Sequence, residues 1–99
     1  MYTLLERRKT NPGTIEDTAK RAAEEFFPAL QASDGFVGFY VVNDEDQGEH
    51  VVIMVWNTKE QSEAFLSTQE EWLKVPDAMG QKLLHANKGE TLIDLQPTS

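Results

Sequence analysis

Residues 51–56 read Val51-Val52-Ile53-Met54-Val55-Trp56, an unbroken apolar run between Glu49-His50 and Asn57-Thr58. A strand that meets a core on one side alternates apolar and polar residues. Here Val51, Ile53 and Val55 point one way, and Val52, Met54 and Trp56 the other. Both faces need cover. At about 20 Å the run has an ordinary strand length and is too short to cross a bilayer. Whatever covers its two faces decides the fold.

The chain around it has 99 residues, which sets the expectation of a single domain over 1–99. Acids outnumber bases 17 to 9, for a net charge of −8. That argues against binding a phosphate backbone, which needs clustered Lys and Arg. Cysteine is absent, which excludes disulfides, thiolate catalysis and Cys-ligated metals. The first nine residues lack the apolar core of a signal peptide. The expectation is a cytoplasmic protein that binds neither nucleic acid nor membrane.

Working outward, 2–9 reads as a first strand, stopped by Asn11-Pro12-Gly13. Thr14 is the expected N-cap of a helix over 15–32, with Asp17 completing a capping box. Ile15, Ala19, Ala22, Ala23, Phe26 and Leu30 form its apolar stripe. Pro28 should kink or end it. A second strand over 36–43 is again apolar on both faces, and Gly38 leaves a gap beside it. The acidic loop 43–48 returns the chain in a hairpin. Its spacing does not match a calcium loop, because Gly48 and Val55 stand at the fifth and twelfth places from Asp44.

After the opening stretch, Thr58 with Gln61 forms a capping box for a second helix, which Pro76 should end. Met79, Leu83 and Ala86 fit a short third helix over 77–87, closed by Lys88-Gly89. Residues 91–95 then read as a fourth strand. The order β-α-β-β-α-β is the split βαβ, ferredoxin-like plan: an α+β fold with a four-stranded antiparallel sheet and helices on one face. The other face stays apolar and uncovered. A second copy packed sheet on sheet is the expected cover, giving a homodimer.

Few residues suggest chemistry. Arg7 on the first strand is a candidate cation for an anionic or phenolate ligand. His85, expected near the end of the third helix, is a candidate base. Tyr40, Trp56 and Trp72 are candidate pocket residues. His50 is expected on the solvent side. Two histidines so far apart make no recognisable metal site, and no phosphate loop or nucleophile elbow is present.

The run Val52 to Phe65, a strand ending in Trp followed by a capped helix, resembles the antibiotic biosynthesis monooxygenase family. Phe27-Pro28-Ala29-Leu30 through Gly35-Phe36-Val37-Gly38-Phe39-Tyr40 is similar to the same family's first-helix end and following strand. The resemblance implies a dimeric α+β barrel. It also implies monooxygenation of a small aromatic or quinol-type molecule in a cavity between sheet and helices, with O2 and no metal, flavin or other cofactor. Some members degrade haem with a strand-one Asn and a Trp and a His on the second helix. Those positions fall on Arg7, Phe65 and Val75, so haem degradation of that type is not expected. The implied pocket takes Arg7, Tyr40, Trp56, Phe65 and Trp72. The replaced triad leaves an alternative, a non-catalytic small-ligand-binding or structural dimer of the same fold.

Overall fold

The computed structural model describes residues 1–98; Ser99, the end of the expected 1–99 domain, lies outside the described residues. Four strands, β1 (Tyr2–Lys9), β2 (Phe36–Asp44), β3 (Glu49–Trp56) and β4 (Leu83–Glu90), form one sheet in the order β2-β3-β1-β4. Every neighbouring pair is antiparallel. The helical segments are α1 (Ile15–Glu25), α2 (Phe27–Gln31), α3 (Lys59–Leu66), α4 (Glu70–Leu73) and α5 (Val75–Ala78). This is the ferredoxin-like α+β plan, and β3 is central, flanked by β1 and β2.

On β3 the two apolar faces meet different surroundings. Met54 and Trp56 are buried against Ala22, Phe26, Leu30 and Phe65, with Leu4, Phe36, Phe39 and Val52 packed around them. Trp56 is 0% exposed. Its indole N–H donates to Ser33 Oγ at 3.2 Å, so burial leaves no unpaired donor. On the opposite face Val51, Ile53 and Val55 are only half-buried, and Tyr40 and Val42 of β2 are exposed beside them. The gap at Gly38 is taken by the Tyr40 ring, which lies where a Cβ would project.

The helix expected over 15–32 is two helices. Pro28 has no N–H to give Glu24, and its ring crowds that carbonyl. The chain therefore breaks at Phe26 (φ −122°, ψ −48°) and restarts with Pro28 in the first turn of α2. Thr14 does not cap α1 as expected. Its backbone is already helical, and its hydroxyl donates to Asn11 O at 2.6 Å. Thr58 does cap α3, accepting from Gln61 N at 3.1 Å. The reciprocal half of that box is missing, because the Gln61 side chain lies beneath Gly35 instead.

The larger corrections lie beyond α3. Ser67 and Thr68 turn their hydroxyls onto the carbonyls of Ala64 and Phe65, a bond that competes with the helix ladder, and the second helix divides into α3, α4 and α5. Pro76 starts α5 rather than ending a helix. No helix spans 77–87. Gly80 takes φ +75° and stops α5, and Leu83–Glu90 pairs with β1 as β4. The expected strand at 91–95 has no regular structure, and Leu92, Ile93 and Leu95 are exposed. The free edge of β1 outweighed the helical spacing of Met79, Leu83 and Ala86, a tertiary override of local pattern. Among the described residues no helix is long and apolar enough to cross a membrane.

Candidate functional site

Between the sheet and the helices lies a cavity of about 200 Å³. Its walls follow from strand parity. Leu4, Glu6 and Arg8 of β1 stand opposite Met54, Val52 and His50 of β3, and directly paired residues share a face. Phe39 and Val41 of β2 pair with Met54 and Val52 on that same face. Of these, Glu6, Arg8, Phe39, Val41, His50, Val52 and Met54 line the cavity. Phe26 at the break and Phe27 at the start of α2 both line the space. Phe26 stacks on Trp72 with centroids 5.3 Å apart and planes 13° from parallel. Phe27 and Phe39 meet at 5.3 Å. Most of the lining is therefore aromatic and aliphatic.

One end is polar. Arg8 is 5% exposed, a cation that burial would penalise unless paired. Its Nη1 donates to Asp77 Oδ1 and to Gln81 O, both at 2.9 Å. Its Nε and Nη2 donate to the two Glu6 carboxylate oxygens, each at 3.4 Å. His50, 3% exposed, has Nδ1 3.0 Å from Thr10 Oγ1. Burial, and secondarily the Arg8 charge, hold the imidazole below its ordinary range, which favours the neutral ring. Gln81, 2% exposed, gives its amide N–H groups to Thr18 Oγ1 at 2.8 Å and Thr14 Oγ1 at 3.1 Å.

The residues singled out in the sequence scatter. Trp72 lines the cavity. Arg7 points to the opposite face, half-exposed and 3.5 Å from Glu49. His85 sits on β4 as Arg7's cross-strand partner, exposed on that same face rather than at a helix end. Tyr40 is 56% exposed there as well. Trp56 and Phe65 are packed in the core and do not line the cavity. His50 reverses its expected placement, since it is buried at the polar end. Arg8 and Gln81 were not singled out. Period-two counting back from Trp56 puts His50 with Met54 and Val52, so that signal was present. Arg8 was masked by the adjacent apolar pair Leu4-Leu5, which blurs the alternation of β1. Gln81 follows a turn and carries no pattern.

The family model for antibiotic biosynthesis monooxygenase matches residues 1–73. No curated protein matches the chain. Among solved structures, the cofactor-independent oxygenase SnoaB of Streptomyces nogalater is similar at 19% identity and TM-score 0.69, with 97% of each chain covered. A monooxygenase from the gene ActVA-Orf6 of Streptomyces coelicolor, solved with nanaomycin D, is similar at 12% identity and TM-score 0.72, covering 98% of this chain and 92% of that one. A MhuD variant holding manganese protoporphyrin IX is similar at 17% identity and TM-score 0.70, covering 98% and 100%. At these identities the likeness is one of fold. The family match spans most of the chain and every residue of the cavity lining except Pro76 and Gln81, and the chain belongs to the antibiotic biosynthesis monooxygenase family.

Proposed function

We propose that this protein is a cofactor-independent monooxygenase acting on a small hydroxylated aromatic molecule held between sheet and helices. The observation that carries the reading is the cavity itself, an aromatic-walled space of about 200 Å³ with a buried polar end. The family match and the oxygenase relatives support it. The reaction balances without an external reductant. For a naphthol, the ring carbon opposite the hydroxyl becomes a carbonyl, and the hydroxyl oxygen becomes the second. The two displaced hydrogens leave with the other oxygen atom as water, and the substrate supplies all four electrons. The protein's contribution is to hold the ring against the aromatic wall with its hydroxyl toward the polar end.

We further propose that the bare sheet face, with Leu5, Tyr40, Val42, Val51, Ile53 and Val55, is covered by a second copy, and that the dimer works in the cytoplasm. Soluble monomers rarely leave such a patch in water. The second functional reading, a non-catalytic ligand-binding dimer, is favoured by one feature: Arg8 is already paired with Glu6 and Asp77, which leaves little charge for a developing anion. Oxygen uptake with naphthols and quinols in air separates the readings. Uptake above the buffer rate, with quinone formed in equal amount, is expected. Binding without uptake would leave the ligand-binding reading.

A further inference from the structure

Two polar atoms, on buried residues that line the cavity, have no hydrogen-bond partner within the protein. Among the described residues, Gln61 Oε1 is the only fully enclosed side-chain polar atom left without a hydrogen bond. His50 Nε2 and Gln81 Oε1 also lack one but are not fully enclosed, so each is open to a space, and the cavity is the space both residues line. The orientation of the Gln81 amide follows from its neighbours. Thr14 Oγ1 donates its hydrogen to Asn11 O at 2.6 Å, and Thr18 Oγ1 donates to Thr14 O at 2.8 Å. Both hydroxyls can therefore only accept from Gln81, which must present its NH2 to them. The carbonyl oxygen is left over, an acceptor with no donor, on a residue 2% exposed.

We infer that His50 Nε2 and Gln81 Oε1 together recognise hydroxyl groups, so that the site takes a neutral hydroxyaromatic of one or two rings and rejects carboxylated analogues. Gln81 Oε1 accepts and cannot donate, so it needs a ligand donor. A neutral His50 presents Nε2 as acceptor or donor according to its tautomer, and a hydroxyl serves either. Charge points the same way. Among the described residues, the cavity's one cation is Arg8, which faces two carboxylates, Glu6 and Asp77, and Glu6 itself lines the wall. A ligand anion would add a third negative charge at the buried end of a chain that carries −8 overall. Size favours a small ring system, since about 150 Å³ of apolar cavity takes a benzene. About 200 Å³ has room for a compact two-ring system.

This rests on the oxygenase's pocket being a ligand site, but its test needs no turnover. Calorimetry on the wild-type protein at neutral pH compares naphthol with methoxynaphthalene, naphthalene and naphthoate. Naphthol should bind about tenfold tighter than the methyl ether or the hydrocarbon, the worth of one good buried hydrogen bond, and naphthoate should bind more weakly still. Gln81→Met should erase the naphthol advantage and leave naphthalene unchanged. Equal affinity for naphthol and its methyl ether, preferred binding of naphthoate, or no binding of naphthol would each overturn the inference. Naphthol binding without oxygen uptake would defeat the oxygenase reading alone. Uptake with no preference for the hydroxyl would defeat this one alone.

Discussion

Arg8 and His50 stand directly opposite each other on β1 and β3, with both side chains turned to the cavity. The charged groups gathered there are Arg8 and Glu6 from β1 and Asp77 from α5. Burial and Arg8 both push the His50 pKa down from 6.5. The unfolded chain then takes up its proton first as pH falls, so stability is complete above about 6.5 and declines below it, until the folded ring protonates too. Urea midpoints between pH 7.5 and 5 should fall for the wild type and fall less for His50→Gln. Equal slopes in the two proteins would show that His50 does not carry this dependence.

Gly35 has φ +75°, and a Cβ there would collide with the Gln61 side-chain amide. Gly35→Ala should therefore cost about 1–3 kcal/mol from backbone strain, plus the displacement of Gln61. Gln61→Ala should recover the second part and not the first. A double-mutant cycle by denaturant unfolding measures this coupling, and strict additivity would mean that the two side chains do not share the space.

Trp56 is fully enclosed at the end of β3, and Phe36 and Phe65 pack on it with centroids 6.0 and 5.7 Å away. Trp56→Ala should destabilise the fold by about 3–5 kcal/mol through lost transfer energy and the cavity left behind. Thermal and urea unfolding would both report it. A loss below about 1 kcal/mol would mean that the site collapses around the gap.

The dimer proposal makes a prediction at a residue remote from the cavity. Ile53 lies at the centre of the bare face, between Leu5 and Tyr40. Sedimentation should give twice the 11.2 kDa chain mass for the wild type. Ile53→Asp should shift it to one chain, because the interface would otherwise bury an unpaired charge. A wild type that stays at one chain mass at micromolar concentration would remove the second copy.

The element order was readable because its signals were local and strong. The two-sided apolar runs of β2 and β3, the cap at Thr58 and the stop at Asn11-Pro12-Gly13 each act over a few residues. The fourth strand was misplaced because Met79, Leu83 and Ala86 satisfy a helical period, and no local feature shows that β1 has a free edge to fill. The site was less readable for a related reason. Arg7 and Arg8 are chemically alike, and which one faces inward depends on register with β3. The pairing of Tyr2 with Trp56 sets that register. Gln81 matters only because a turn brings it to Thr14 and Thr18, more than sixty positions earlier.

The two tryptophans occupy opposite situations, and the protein thereby carries two optical reporters that do not overlap. Trp56 is sealed from solvent with its N–H on Ser33, so its emission should stay blue and respond only when the whole fold opens. Trp72 forms part of the cavity wall, stacked on Phe26. A ligand should quench one and spare the other. Single-tryptophan variants would then read occupancy and integrity separately in the same cuvette.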